Sequence, residues 1–230
     1  MATIATVNHP VRVEAVLDEP LSRWLWLVKW LLIIPHQVAL FLLWITFLMV
    51  SVIAFFVILF TGHYPRVLFN FSTGVLRWTW RVAYYSYGAL ATDRYPPFSL
   101  GTVPGYPTRL VIAYPERMPR GLALVRSWLR ATPHYALIAL FFLSFRICWW
   151  IGGVAAFLAL LALVVLVCTG PAGILALTGR YPERQFGWTI GFDQWMLRVV
   201  AYAFFLTDAY PPLRIDKDGM GLNAPASVGP

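Results

Sequence analysis

TGHYPRVLFNFSTGVLRWTWRVAYYSYGALATDRYPP, residues 61–97, is restated at residues 178–212 as TGRYPERQFGWTIGFDQWMLRVVAYAFFLTDAYPP. Thr61/Thr178, Gly62/Gly179, Tyr64/Tyr181, Pro65/Pro182 and Phe69/Phe186 match at an offset of 117. So do Gly74/Gly191, Trp78/Trp195, Arg81/Arg198, Val82/Val199 and Tyr85/Tyr202. After a two-residue gap, Thr92-Asp93 and Tyr95-Pro96-Pro97 recur as Thr207-Asp208 and Tyr210-Pro211-Pro212. Fifteen identities in 35 aligned positions mean one structural unit used twice. The repeat divides the chain into a first unit over residues 8–103, a second over 104–216 and a polar tail over 217–230.

Between the matched segments the chain is strongly apolar. It is 60% hydrophobic and 12% charged, with a mean hydropathy of +0.68, whereas a soluble domain carries about 25% charged residues. Gln37 to Phe60 holds 24 residues with no formal charge, about 36 Å of helix against a hydrocarbon core of roughly 30 Å. This stretch reads as a transmembrane helix. The first twenty residues contain His9, Arg12, Glu14, Asp18 and Glu19 and no apolar core of a secretory signal, so the helices themselves are expected to target and anchor the protein.

A net charge of +8 invites a nucleic-acid reading. The cations, however, are interleaved with Trp and Tyr at the edges of apolar runs, the pattern of membrane-interface anchors. No nucleic-acid partner is expected. Cys148 and Cys168 would lie about 30 Å apart on one helix, too far for a disulfide.

VRVEAVLD, starting at Val11, alternates apolar and charged residues and reads as a strand; TRLVIAYP at 108–115 is its counterpart at an offset of 97. Each unit ends in YPPFSL or YPPLRID, and Pro104-Gly105 lies between two β-like runs, so short surface strands at the repeat ends and a hairpin between Phe98 and Tyr114 are expected. LSRWLWLVKWLLIIPH (21–36) and MPRGLALVRSWLRATPH (118–134) are cationic helical segments that end at Pro-His. Each reads as an interfacial helix, or as the start of the membrane helix with Lys29 snorkelling to the surface. The offset grows from 98 at Pro35/Pro133 to 117 at Thr61/Thr178, so the second unit carries 19 additional residues in its apolar region. Tyr135 to Leu177 then spans 43 residues, about 65 Å as one helix and too long for one crossing. Arg146, Trp149, Trp150 and Gly152-Gly153 mark an interfacial turn there, with Gly170-Pro171 a second bend.

After TGxYP each unit enters a long helix, roughly 66–91 and 183–206, with Asn70, Gly74, Arg77, Arg81, Tyr85 and Gly88 on one stripe. The second copy puts Gly187, Gly191, Gln194, Arg198 and Tyr202 there. An arginine facing lipid at mid-bilayer costs about 2.5–3.5 kcal/mol. The helix therefore either lies in the interface with its arginines toward headgroups, or crosses with the stripe facing protein.

The run PLSRWLWLVKWLLIIPH, then LFTGHYPRVLFNFSTGVLRWTWRV, then TDRYPPFSL resembles the bacterial domain of unknown function 4389. The resemblance covers about residues 8–100 and 106–216, with Thr132, Gln194 and the added apolar residues departing from the pattern in the second copy. It implies a small integral membrane protein of the bacterial cytoplasmic membrane, multi-pass, and no assigned activity. The fold class expected is an all-α integral membrane protein: a tandem repeat of interfacial helix, transmembrane helix or hairpin, and Arg-striped amphipathic helix, with short surface strands.

Little in the chain speaks for catalysis. His36 and His134 recur at equivalent positions, but neither has Asp, Glu or Cys at ligand spacing. Asp93 and Asp208 sit where a helix meets a proline turn, and a carboxylate there accepts backbone N–H groups or pairs with Arg94 or a stripe arginine. No hydrolase, zinc-protease, P-loop or dinucleotide fingerprint is present. No cofactor, no metal and no enzyme activity are expected. The expected function is that of an accessory or scaffold subunit of a membrane complex, or of an anionic-lipid-binding protein. Membrane lipids and other membrane subunits are its expected partners.

Arg77, Arg81, Arg126, Arg130 and Arg198 are the candidate lipid or partner contacts, and Trp24, Trp26, Trp30, Trp78, Trp80 and Trp195 the candidate interfacial anchors. His36, His134, Arg146, Asp93 and Asp208 are the candidate functional polar residues. The alternative is a small-solute transporter or channel component working as an oligomer, since tandem repeats build many transporters. Against it, nine of the ten acidic residues flank the spans and only Asp193 lies within an amphipathic helix.

Overall fold

A computed structural model describes residues 9–18, 20–22, 24–86, 89–116, 118 and 183–211, with a few helical positions between 132 and 162. The elements are β1 (Val11–Ala15), α1 (Leu25–Leu32), α2 (Ile34–Thr61), α3 (Arg66–Tyr85), β2 (Thr108–Ile112) and α4 (Glu183–Ala203). The chain is thus mostly helical with one small sheet. Arg126, Arg130, His134, both cysteines and the two expected bends at Gly152-Gly153 and Gly170-Pro171 lie outside the described residues. Arg146, expected in a turn, is helical with its side chain exposed.

The strands do not form the expected hairpin. β1 pairs with β2, antiparallel, with Val11 opposite Ile112, Val13 opposite Leu110 and Ala15 opposite Thr108. The strand that opens one copy therefore pairs with the strand that opens the other. Because the two are equivalent at an offset of 97, the Val13–Leu110 pair is its own mate under exchange of the copies. The flanking bonds obey the same exchange: Val16 N–H donates to the Pro107 carbonyl, and Ala113 N–H to the Pro10 carbonyl, both at 2.9 Å. Alternation explains the choice of partner. Val11, Val13 and Ala15 share a buried face with Thr108, Leu110 and Ile112, while Pro96 and Pro97 lack the N–H groups a ladder at 95–98 would need. The Pro104-Gly105 turn is present, with Gly105 at φ 76°, but it delivers the chain to β2 rather than closing a hairpin.

The break between α1 and α2 falls at Ile33, so Pro35 and His36 open α2 instead of ending α1. A proline in a first helical turn forfeits no hydrogen bond, since that N–H has no intrahelical acceptor. α2 runs 28 residues, about 42 Å, and stops at Gly62, whose φ of 74° lets its N–H close on the Ile58 carbonyl at 2.8 Å. It is the one helix among the described residues long and apolar enough to cross a membrane. Only a narrow stripe of it faces protein: His36, Leu40, Phe47, Ser51, Ala54 and Ile58 are buried. Val38, Phe41, Leu42, Met49, Val52, Phe56 and Phe60 are each more than half exposed.

α3 folds back along α2 and packs its other side on β2, while α4 packs on β1. Each copy's long helix therefore covers the strand of the other copy. Both helices end sooner than their apolar pattern suggests, at Tyr85 and Ala203. The same conformation follows in both copies: Leu90 and Phe205, equivalent residues, take positive φ values of 53° and 61°. Neither has glycine's freedom there, but both side chains are buried, which offsets the strain. The exit turns share further detail. Ala91 N–H bonds the Tyr84 carbonyl as Leu206 N–H bonds that of Ala201. Thr92 Oγ1 accepts from Arg94 N–H at 3.1 Å as Thr207 Oγ1 does from Ala209 N–H at 3.2 Å. Tyr85–Tyr95 and Tyr202–Tyr210 are both edge-on at 5.9 Å.

Gly74, common to both copies, is required by close packing. A Cβ there would stand 2.9 Å from Leu100 Cβ and 3.0 Å from the Leu100 carbonyl oxygen. Gly74→Ala should therefore destabilise the fold by about 1–3 kcal/mol. Gly101→Ala, whose Cβ would meet nothing closer than 3.5 Å, should change the thermal midpoint in detergent little. Equal midpoints for the two variants would contradict this packing.

Candidate functional site

Most of the stripe on α3 faces protein: Gly74, Arg81 and Tyr85 are buried and Arg77 is half-buried, while Asn70 is exposed. Arg81 is 4% exposed. Its Nη1 donates to the Gly101 carbonyl at 2.8 Å and its Nη2 to the Ser99 carbonyl, so the guanidinium fork holds the loop that follows TDRYPP. One turn earlier, Arg77 Nε donates to the Leu110 carbonyl at 3.1 Å. Trp80 Nε1 donates to Thr108 Oγ1, which donates in turn to the Glu14 carbonyl at 2.7 Å. These bonds stitch α3 onto the sheet.

Between helix, sheet and the 102–107 loop lies a cavity of about 350 Å³, lined by Arg77, Arg81, Arg109, Glu14, Trp80 and Tyr106 among others. Its floor is buried at Trp80, Arg81, Thr108 and Leu110, and its mouth is exposed at Glu14, Thr102, Gly105 and Arg109. Burial lowers the Arg77 guanidinium below the ordinary arginine value, and the neighbouring Arg109 charge lowers it further. Arg81 is lowered by burial and by the charge of Arg77. Burial pushes the Tyr106 phenol up, so its hydroxyl stays neutral. The arrangement is a cationic recess with the Glu14 carboxylate at its mouth. Among the described residues no group of three His, Cys, Asp or Glu side chains gathers to hold a metal.

The other polar cluster sits where α1 and α2 meet. Lys29 is 2% exposed; its Nζ lies 2.8 Å from Asp93 Oδ1 and 2.7 Å from the Thr92 carbonyl, and 5.0 Å from the Tyr85 ring centre. Lys29 therefore points inward and does not snorkel. Burial lowers its pKa, and the Asp93 bond and charge hold it up. Asp93 pairs with Lys29 and accepts the Ser22 N–H at 2.6 Å. Arg94, the expected partner of Asp93, reaches Asp18 at 2.9 Å instead. His36 is fully buried, accepting from Trp78 Nε1 at 3.0 Å and stacked on Phe98 at 3.9 Å. Its Nδ1 is thereby occupied, while its Nε2 is buried without a hydrogen-bond partner among the described residues.

Of the remaining named residues, Arg198 and Gln194 are buried like Arg81, and Trp195 is half-buried. Trp24 and Trp30 are exposed, as interfacial anchors would be, whereas Trp78 and Trp80 are interior. The Trp26 side chain lies outside the described residues. Asp208 is exposed. Nothing in the sequence pattern singles out Arg109 or Tyr106, or the inward course of Lys29. Alternation in TRLVI does put Arg109 on the open face opposite Glu14, a signal that goes unread until β1 is known to be the partner.

Residues 23–99 and 137–213 each match the family described as a domain of unknown function, DUF4389. The chain belongs to that family. It carries the DUF4389 unit twice in tandem, and Lys29, Asp93, α3 and α4 all fall inside the matched segments. Both strands and the 102–107 loop fall outside them, so the cavity is completed by chain that precedes the first unit and chain that joins the two. No curated protein and no solved structure matches the chain.

α4 carries one feature α3 lacks. Asp193, where the first copy has the buried Leu76, has Oδ2 buried without a hydrogen-bond partner among the described residues. Burial raises its pKa to about 7. An unfolded aspartate releases its proton near 3.8, so between there and about 7 the folded chain holds a proton the unfolded chain has lost. Stability should fall across that window as pH rises, by roughly 2–4 kcal/mol. Asp193→Leu should flatten the dependence and raise the thermal midpoint at pH 8. An unchanged slope would show that Asp193 is charged in the fold.

Proposed function

We propose that this tandem DUF4389 protein is a non-catalytic, multi-pass integral protein of the bacterial cytoplasmic membrane that binds anionic lipid. On this reading it serves as an accessory or scaffold subunit of a membrane assembly. The observation that carries this reading is the surface of α2. Only 22% of its most apolar stretch is buried, whereas the core helix of a soluble protein would be mostly covered, and the uncovered side chains are large and apolar. The arginine-lined cavity and the exposed Trp24 and Trp30 suit a protein working among headgroups. The test is native mass spectrometry after extraction in mild detergent. Bound anionic lipid or a stoichiometric membrane partner is expected, and retention should fall when Arg126 and Arg130 are reversed to glutamate. A chain released by carbonate washing, with neither lipid nor partner, would refute the proposal.

Asp193, half-buried with its Oδ2 shielded and unpartnered among the described residues, favours one second reading, a transporter component, because transport coupled to protons uses carboxylates shielded from water. That reading requires solute flux in liposomes that is lost in Asp193→Asn or Arg146→Gln.

A further inference from the structure

We infer that the recess formed by Arg77, Arg81 and Arg109 binds one phosphate-bearing anion per chain. The inference gives the anionic-lipid reading a specific site, and rests on that reading only in naming a headgroup as one source of the phosphate.

Three guanidinium groups line one cavity, and none has a carboxylate within ion-pair distance among the described residues. Glu14 stands opposite Arg109 in the ladder without forming such a pair. Two of the three arginines have donors to spare. Arg77 spends Nε on the Leu110 carbonyl, and its terminal nitrogens have no partner among the described residues. Arg109 makes no side-chain hydrogen bond among them. Beneath them Arg81 is buried with Nε lacking a partner, although both its terminal nitrogens are bonded. The mutual repulsion of Arg77 with Arg109 and with Arg81 is not offset by an ion-paired carboxylate among the described residues.

An anion seated between them would offset it. Guanidinium forks match the oxygen geometry of phosphate, and two free forks above a third buried cation suit a group with several charged oxygens better than a lone carboxylate. A volume of about 350 Å³ is near the lower limit of ligand pockets. It suits a headgroup or a small phosphate ester, with the rest of the molecule outside the mouth.

The second copy explains why the number is one. At the places of Arg77, Arg81 and Arg109 it has Gln194, Arg198 and Arg12, one cation fewer, and Gln194 is buried. The same replacement supplies the variant that tests the site, since glutamine is already accommodated at the equivalent position of this fold.

Calorimetric titration of the full chain in a neutral detergent, with inorganic phosphate and with dioctanoyl phosphatidic acid as separate probes and phosphatidylcholine as control, tests the inference. One equivalent of at least one anionic probe should bind. Arg77→Gln and Arg109→Gln should each weaken it about 10–100-fold with little change in thermal midpoint. Binding of phosphatidic acid alone identifies a headgroup as the source; binding of inorganic phosphate identifies a soluble ester. If neither probe binds, or if both variants bind as the wild type does, the inference fails. Anionic lipid still retained on extraction in that case leaves the membrane reading intact. Conversely, inorganic phosphate bound by a chain that retains no lipid supports the phosphate site and counts against lipid binding.

Discussion

Replacing Lys29 by methionine should destabilise the protein by about 2–4 kcal/mol, the cost of leaving the half-buried Asp93 carboxylate and the buried Thr92 carbonyl without their partner. Lys29 meets Asp93 at 2.8 Å and the Thr92 carbonyl at 2.7 Å, and both would be stranded. Asp93 is the cluster's pivot, since it also fixes the entry to α1 through the Ser22 N–H. Asp93→Asn retains an acceptor for Ser22 but leaves the buried Lys29 ammonium without its counter-charge, so it should cost at least as much. In the double variant, loss of the Lys29 charge removes the reason for the Asp93 charge, so the two effects should fall short of additivity by about 1–3 kcal/mol. Unfolding in detergent followed by tryptophan fluorescence measures all three. A loss of less than about 1 kcal/mol in Lys29→Met would place the pair in the weak class of surface ion pairs, contrary to its burial.

This pair shows how far the sequence is legible. TDRYPP is recognisable as a turn because it recurs, and the ST-turn at Thr92 and Thr207 follows from local chemistry. The partner of Asp93 is a different matter. Lys29 lies 64 positions earlier in a run of Leu and Trp, where a lysine commonly sends its ammonium to the surface. Only the return of the TDRYPP loop over α1 brings a carboxylate to it. The strands follow the same rule: alternation identifies VRVEA and TRLVI, but pairing is a tertiary choice, and sequence proximity favours the wrong partner for TRLVI. α2 needs no tertiary information, because an uncharged apolar run of that length has few other states. The cavity is the least legible feature, since its lining comes from β1, α3, the joining loop and β2 together.

The neighbours Arg77 and Arg81 should part company under mutation, although they occupy one stripe. Arg81→Ala should cost about 3–5 kcal/mol, because the Ser99 and Gly101 carbonyls would each lose a charge-assisted bond at roughly 1.5–3 kcal/mol per bond. Arg81→Lys should recover only a minor part, since an ammonium does not present the planar fork that spans two carbonyls. Arg77→Gln forfeits one bond to Leu110 and relieves repulsion from both arginine neighbours, so its effect on stability should stay within about 1 kcal/mol. The second copy already carries that substitution: it keeps Arg198 at the place of Arg81 and has Gln194 at the place of Arg77. On the phosphate-site reading, an arginine the fold depends on is present in both units, and one needed chiefly for a ligand is free to be present in one. Thermal midpoints that fall equally for Arg81→Ala and Arg77→Gln would break this division. Arg77 would then be structural, and the difference between the copies would need another cause.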